Sequence, residues 1–144
     1  MMDLNLILNT LRETCAPQMS VRILPLGETV VELEPDQLRP AVEVLVSQFA
    51  LRHLSTITGD DVGGKIVLLY HFWDGVGLTL RVSLPPEQAI VPTVIDLISG
   101  AVFYEREATE MLDVMFEWHP MSVRLFLPDD WHGDAPLRKQ VEDG

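Results

Sequence analysis

Apolar positions in the first third of the chain alternate between helical and strand-like spacing. A short amphipathic helix is predicted from apolar residues at helical intervals, namely Leu4, Ile7, Leu8 and Leu11. The Ala-Pro-Gln stretch after Cys15 ends that helix. Segments 20–24 and 29–34 are rich in β-branched residues around a turn at 25–27, so they predict a hairpin. A second helix is predicted from Val42, Leu45, Val46 and Phe49, with Pro40 in its first turn.

Three further strands are predicted in the middle of the chain. Segment 53–58 is followed by the turn-rich stretch 59–65, which closes the first of them. Segment 65–72 is continuously apolar, as expected of a strand buried on both faces. Segment 77–84 alternates between apolar and polar residues. The Asp74–Gly75 pair predicts a hairpin between these last two strands.

Beyond residue 86 the apolar spacing becomes helical again. A short helix opening at Pro92 is predicted over 91–99, and a longer one from Ala101 to Phe116. Segment 123–128 predicts a returning strand, and the polar remainder is expected to be irregular. The predicted class is therefore α+β, a mixed sheet flanked by helices in one compact domain. The domain is placed at residues 1–127 and an extended C-terminal arm at 128–144.

The acidic composition of the chain excludes some classes of binding partner. The chain has 144 residues, with ten Lys and Arg against 22 Asp and Glu and a net charge of -12. Such an acidic chain is not expected to bind nucleic acid or an anionic membrane surface. One cysteine excludes a disulfide framework, and no apolar run is long enough for a membrane span. The N-terminus lacks a basic leader, so a soluble intracellular chain is expected.

The charged residues of the helix predicted over 101–116 are candidates for a site. Tyr104, Ala108, Met111 and Met115 share one face of that helix, and Arg106, Glu110, Asp113 and Glu117 share the opposite face. Arg106 is therefore expected in a solvated stripe, paired with Glu110. Glu105 and Glu107 fall on the flanks, where a carboxylate is partly desolvated and needs a cation. The candidate cations are Arg81, Arg124 or a group on another subunit.

Catalytic patterns are weak in this sequence. Glu105 and Glu107 point in directions about 200° apart on one helix, which does not suit a pair of carboxylates acting on one substrate. The four histidines lack metal-binding spacing, and His71 within a strand is interpreted as a structural residue. From the residues alone the best interpretation is a binding module.

Several ordered motifs resemble one family. Glu105-Arg106-Glu107, then Glu110-Met111-Leu112 and His119, resemble the signature of the thirty-kilodalton subunit (the C subunit) of respiratory complex I. That type of subunit is shared with membrane-bound energy-converting [NiFe] hydrogenases and F(420)H(2) dehydrogenases. The stretches 127–131 and 136–139 are similar to the tail motifs of that family, and segments 53–61, 70–72 and 91–92 also match its pattern. The resemblance covers roughly residues 50–140.

The resemblance implies a non-catalytic structural subunit on the cytoplasmic side of a membrane complex, without a membrane span of its own. Its implied partners are a large [NiFe]-hydrogenase-like subunit (of the forty-nine-kilodalton type), a small iron–sulfur subunit and, through the complex, the membrane arm. No cofactor or metal is expected in this chain, whereas iron–sulfur clusters, and in a hydrogenase a NiFe centre, are expected in its partners. The implied motif and interface residues are Glu105, Arg106, Glu107, Glu110, His119, Arg124, Trp131, Pro136, Arg138 and Lys139.

Two alternatives remain open at this point. The alternatives to the family interpretation are a stand-alone acidic adaptor that binds a basic partner and a small enzyme on the same fold. The enzyme would use Glu107 or His119 as its acid–base group, and it would need a pocket and a perturbed carboxylate.

Overall fold

The structure is a computed structural model, and it describes residues 3–118. The predicted strand at 123–128 and the predicted arm at 128–144 lie outside the described residues. In chain order the elements are α1 (Leu4–Thr14), β1 (Ser20–Ile23), β2 (Thr29–Leu33), α2 (Pro35–Phe49), β3 (Leu54–Val62), β4 (Lys65–Trp73), β5 (Gly77–Leu84), the 3-10 turn Pro86–Gln88, β6 (Ile90–Pro92), α3 (Ala101–Leu112) and β7 (Met115–Glu117).

Local capping determines where the first two helices begin. In α1 the Asp3 carboxylate accepts the Leu6 N–H at 3.2 Å, and Ile7 and Leu11 are buried as the helical spacing predicts. In α2 the Gln37 side chain accepts the Glu34 N–H at 2.9 Å, and Pro35 occupies the first helical turn. Since α2 begins at Pro35, Pro40 lies in its second turn, and the prediction of Pro40 in the first turn is wrong.

Strands β1 to β5 form a mixed sheet in the order β1-β2-β5-β4-β3. The β1–β2 and β4–β5 hairpins are confirmed, and β2 pairs with β5 in parallel. Strand β3 continues to Val62, further than predicted, because residues 59–62 pair with β4 and the turn is only Gly63–Gly64. Both turn glycines have positive φ, +58° and +82°, which glycine adopts without a steric penalty.

The core lies between one face of this sheet and the helices. Alternate residues of β5 are fully buried there, namely Leu78, Leu80, Val82 and Leu84. In β4, Ile66, Leu68, Tyr70 and Phe72 are buried in the same way, but Leu69 and His71 are only half-buried. The expectation that β4 is buried on both faces therefore holds only near Val67. Helix α2 packs against β5 and β6, and α3 packs against β3. The α+β class with a mixed sheet and helices is confirmed.

The two helices predicted after residue 90 are not both present. Residues 90–92 form β6, which pairs in parallel with β7 (Val91 opposite Phe116), and residues 93–100 contain turns. Helix α3 stops at Leu112 because Asp113 adopts a left-handed conformation with φ 57°. The helix predicted to open at Pro92 is thus absent, and Met115 and Glu117 belong to a strand rather than to α3. No helix within residues 3–118 is long and apolar enough to cross a membrane.

Candidate functional site

Helix α3 keeps Ala108 and Tyr104 of its predicted apolar face against the core, and it also buries charged residues that the apolar spacing placed on other faces. Its buried residues are Ala101, Glu105, Arg106, Ala108, Glu110 and Leu112. Phe103, by contrast, is 60% exposed. Helix α3 packs on β3 at Gly59, where an added Cβ would meet Leu112 Cδ1 at 2.4 Å. This close approach relies on the absence of a side chain at Gly59.

The Glu105 carboxylate is fully buried and is held by two donors from one turn. The Thr93 hydroxyl donates to Glu105 Oε1 at 2.5 Å, and the Val94 backbone N–H donates to Oε2 at 2.9 Å. Both donors lie in the turn after β6, which itself is anchored by a bond from the Thr93 N–H to the Glu117 carbonyl at 3.0 Å. Glu105 therefore ties α3 to the segment that joins it to the β6–β7 pair.

Arg39 on α2 also bonds to the turn after β6. Arg39 Nη1 donates to the Thr93 carbonyl at 2.7 Å and to Asp96 at 2.8 Å, and its Nη2 donates to Asp96 at 2.5 Å. This two-pronged contact fixes the guanidinium plane. Glu105, Thr93, Arg39 and Asp96 are called the Glu105 cluster below. The cluster joins α2, α3 and the turn between β6 and α3.

The protonation of this cluster follows from burial and from its partners. Burial raises the pKa of Glu105 to about 7, although the hydrogen bonds from Thr93 and Val94 act in the opposite direction. The Arg39 guanidinium lowers the pKa of Asp96 by hydrogen bonding to it, and Asp96 in turn raises the pKa of Arg39. Burial, with a smaller effect of Glu105, raises the pKa of the Tyr70 phenol well above its usual value.

The other motif residues fall into two groups. Arg106 is 6% exposed and Glu110 is fully buried, so the prediction that they form a solvated stripe is wrong, and neither of them is without a partner. Glu107 is exposed, so the prediction of a partly desolvated Glu107 is also wrong. Helix α3 is buried on more than one side, because Ala108 of the predicted apolar face is buried together with Glu105 and Leu112, which face the β6 turn and β3. The remaining predicted residues lie outside the described part of the chain: His119, Arg124, Trp131, Pro136, Arg138 and Lys139.

Arg81, one of the cations predicted for Glu105, pairs elsewhere. Its Nη1 bonds Glu32 Oε1 at 2.7 Å on the neighbouring strand, where Arg22 also approaches Glu32 at 3.6 Å. The Thr93 hydroxyl and the Val94 N–H contact Glu105 instead.

Sequence reasoning missed Thr93, Arg39 and Asp96. The Thr-x-x-Asp spacing of residues 93–96 is a usable signal for this segment, because that pattern is typical of turns and helix starts. Arg39 carries no comparable signal, since it lies more than fifty positions before the turn that it holds.

The prediction for His71 is confirmed. Its Nε2 lies 2.9 Å from the Thr58 hydroxyl, and its Nδ1 lies 3.1 Å from the Thr79 hydroxyl, so both ring nitrogens have partners. Within residues 3–118 no group of His, Cys, Asp and Glu side chains is arranged to hold a metal ion. Glu105 has a raised pKa, and its carboxylate connects α3 to the turn after β6 rather than facing a cavity lined by other catalytic groups.

Comparison with known proteins gives a consistent result. Residues 31–143 match the family model described as the 30 kDa subunit of respiratory-chain NADH dehydrogenase. The C subunit of the NADH-quinone oxidoreductase of Roseiflexus castenholzii is 30% identical over 126 residues, which is 82% of this chain and 72% of that protein. The C subunit of the F(420)H(2) dehydrogenase of Methanosarcina mazei is 31% identical over 115 residues, which is 76% of this chain and 73% of that protein.

Two solved structures share the fold. A trypsin-resistant fragment of Nqo5 superposes with a TM-score of 0.71 and 26% identity, covering 83% of this chain and 99% of the fragment. A chain of the membrane-bound sulfane sulfur reductase, an archaeal respiratory membrane complex, superposes with a TM-score of 0.70 over 88% of this chain and 76% of that chain. At 21% identity the second match concerns the fold alone.

Proposed function

The chain belongs to the family of the 30 kDa subunit of respiratory-chain NADH dehydrogenase, and from this premise we propose that it is a non-catalytic structural subunit of a complex I-like membrane assembly. The family match over residues 31–143 is the observation that carries this proposal. Relatives named as the C subunits of an NADH-quinone oxidoreductase and of an F(420)H(2) dehydrogenase support it. The assembly is thus a dehydrogenase of NAD(P)H, ferredoxin or F(420)H(2), or the related membrane-bound hydrogenase.

The proposed place of the chain is the peripheral arm, on the cytoplasmic side of the membrane. There it packs on the large [NiFe]-hydrogenase-like subunit, next to the small iron–sulfur subunit, and reaches the membrane arm through them. Electron transfer and its coupling to ion translocation occur in those partners, which hold the iron–sulfur clusters and any NiFe centre. The contribution of this chain is a rigid surface for its neighbours.

Some residues of the family motif on α3 are buried inside this chain, and others are exposed on its surface. Glu105 closes the Glu105 cluster, and Arg106 and Glu110 are also buried, so these residues shape α3 from inside. Glu107 is exposed on the same helix and is available to a neighbour. An arm with large aromatic and cationic side chains binds through a few buried anchors. In this proposal the contacts to the large subunit come from Glu107, His119, Arg124, Trp131, Pro136, Arg138 and Lys139.

Co-expression tests the packing on the large subunit directly. The full chain is produced with the large [NiFe]-hydrogenase-like subunit of the same organism, and their mass in solution is measured by gel filtration with light scattering. We expect one species with one copy of each chain. A variant lacking residues 131–144 should separate from the large subunit while retaining its own folded circular dichroism spectrum. Two separate peaks for the intact chains would contradict the proposed packing.

A further inference from the structure

Two turns at one end of the sheet enclose a cavity that the proposed function leaves unassigned. The β1–β2 turn and the β4–β5 turn border it, and its volume is about 490 Å³. Leu26 and Glu28 line it from the first turn, Val76 from the second, and His71 and Trp73 from β4. These residues are called the end pocket below.

The apolar residues of the end pocket contribute little to the folded core. Leu26 lies in the turn closed by the bond from the Gly27 N–H to the Leu24 carbonyl, and its side chain is 99% exposed. Turn positions ordinarily carry small or polar residues. Trp73, at the end of β4, is 51% exposed. A leucine and a tryptophan held in water beside one cavity are typical of a surface that another protein covers.

The Glu28 carboxylate lines the end pocket, and neighbouring side chains fix its position. The Thr79 hydroxyl donates to Glu28 Oε1, and the same oxygen lies 3.5 Å from His71 Nδ1. Glu28 also lies over Gly77, where an added Cβ would come 3.3 Å from Glu28 Cγ. The Glu28 side chain is 36% exposed. Thr79, His71 and Gly77 therefore fix the position of Glu28, and the exposed part of its side chain remains accessible to a ligand.

The charges around this carboxylate favour a cation. The described residues that line the end pocket include no lysine and no arginine, and Asp74 is exposed in the adjacent turn. Within residues 3–118, His71 is the one basic side chain within ion-pair distance of Glu28. The whole chain carries a net charge of -12, so a second copy would bring a surface of the same sign.

We propose that the end pocket receives an arginine side chain from a neighbouring subunit of the assembly, an inference that rests on the proposed function. The guanidinium pairs with the Glu28 carboxylate and stacks on the Trp73 indole, a combination that arginine suits better than lysine. Apolar residues flanking that arginine cover Leu26. The end pocket is then a docking point separate from α3.

A photo-crosslinking amino acid in the assembled complex tests this inference. p-Benzoylphenylalanine replaces Leu26, or Leu6 on α1 as the matched control, since Leu6 is also an exposed leucine, at 54%. The complex is purified, irradiated and analysed by mass spectrometry. We expect the probe at position 26 to link to a peptide of another subunit that contains an arginine within a few residues of the link. The probe at position 6 should not link to that peptide.

The second test exchanges the charges of the proposed ion pair and measures the yield of assembled complex. Glu28→Arg should reduce the yield of complex about tenfold, and replacing the identified arginine of the partner by glutamate should restore it. Leu26→Ser should also weaken assembly about tenfold, whereas Leu6→Ser should not. Leu26 is suited to this comparison because its side chain is almost wholly exposed, so its substitution leaves the core intact.

Three results would overturn the inference while leaving the proposed function intact. These are a link from position 26 to residues 119–144 of this chain, a link to a second copy, or normal assembly with no link at all. If the unmodified chain enters no complex, the proposed function fails and the inference fails with it.

Discussion

At the scale of single residues, Glu105 is a residue of the family motif that stabilises the interior of the protein. Its carboxylate has no exposure to solvent, and two donors from one turn bond to it. Burying a carboxylate without such donors would cost several kcal/mol. The position therefore requires both an acid on α3 and a hydroxyl at Thr93, and the two residues act as one unit.

The protonation of Glu105 predicts how stability depends on pH. Its pKa rises from 4.5 to about 7 on folding, so the folded state binds the proton more tightly than the unfolded state. The stabilisation by the protonated form is complete below about pH 4.5 and is lost as the pH rises through about 7. Relative to a Glu105→Gln variant, the natural chain should lose roughly 3 kcal/mol of unfolding free energy over that range.

Urea denaturation between pH 4.5 and pH 8 measures this loss. Glu107→Gln is the matched control, because Glu107 is an exposed glutamate on the same helix. Glu107→Gln should follow the pH profile of the natural chain, and Glu105→Gln should give a flatter one. Identical slopes for all three proteins would show that Glu105 does not titrate in this range.

The role of a single residue can be predicted from the sequence where that role depends on neighbouring residues in the chain. The structural role of His71 follows from its strand setting, which already favours hydrogen bonding within the sheet. The contact of Glu105 with Thr93 is not predictable, because Thr93 lies in a segment whose apolar spacing resembles a helix. The solvated position predicted for Arg106 is wrong for a related reason: α3 is buried on more than one side, and the packing on β3 at Gly59 that contributes to this burial is not visible in the periodicity.

At the scale of elements, the contact of α3 with β3 determines which side of the helix is buried. Gly59 leaves space for Leu112, whose Cδ1 would lie 2.4 Å from an added Cβ. Gly59→Ala should therefore displace Leu112 and lower the unfolding free energy by about 1–3 kcal/mol. Chemical denaturation measures this change, and Gly100→Ala is the control because no atom lies within 4 Å of a Cβ at Gly100.

A double-mutant cycle separates overpacking from a general loss of stability. Leu112→Ala alone should cost about 2–5 kcal/mol through the cavity it creates. Combined with Gly59→Ala it should cost less than the sum of the two single changes, since the added methyl enters the vacated space. Strict additivity would mean that these two residues do not share the contact.

Elements with strong local signals are predictable from the sequence. Both hairpins and the two N-terminal helices are present, because their turns and periodic faces lie within the segments themselves. The helix predicted over 91–99 is wrong. Val91 instead pairs with Phe116, and Glu105 holds the turn that follows, so long-range partners override the local spacing.

At the scale of the whole molecule, two surfaces have separate proposed roles. The proposed role of the exposed side of α3, with Glu107, is to contact the large subunit. The end pocket, with Leu26 and Trp73, takes an arginine of a neighbour. The first role is predictable from the family resemblance, since the motif marks α3. The second is not, because Leu26 and Trp73 are far apart in sequence and come together only in the folded sheet.

The central claim is that this chain is a subunit of a complex I-like membrane assembly. Affinity purification of the tagged chain from its native membranes in mild detergent, with quantitative mass spectrometry of the proteins that accompany it, tests that claim most directly. We expect a large [NiFe]-hydrogenase-like subunit and an iron–sulfur subunit in equal amounts with this chain, together with membrane-arm proteins. Recovery of the chain alone, without these subunits, would contradict its membership of such an assembly.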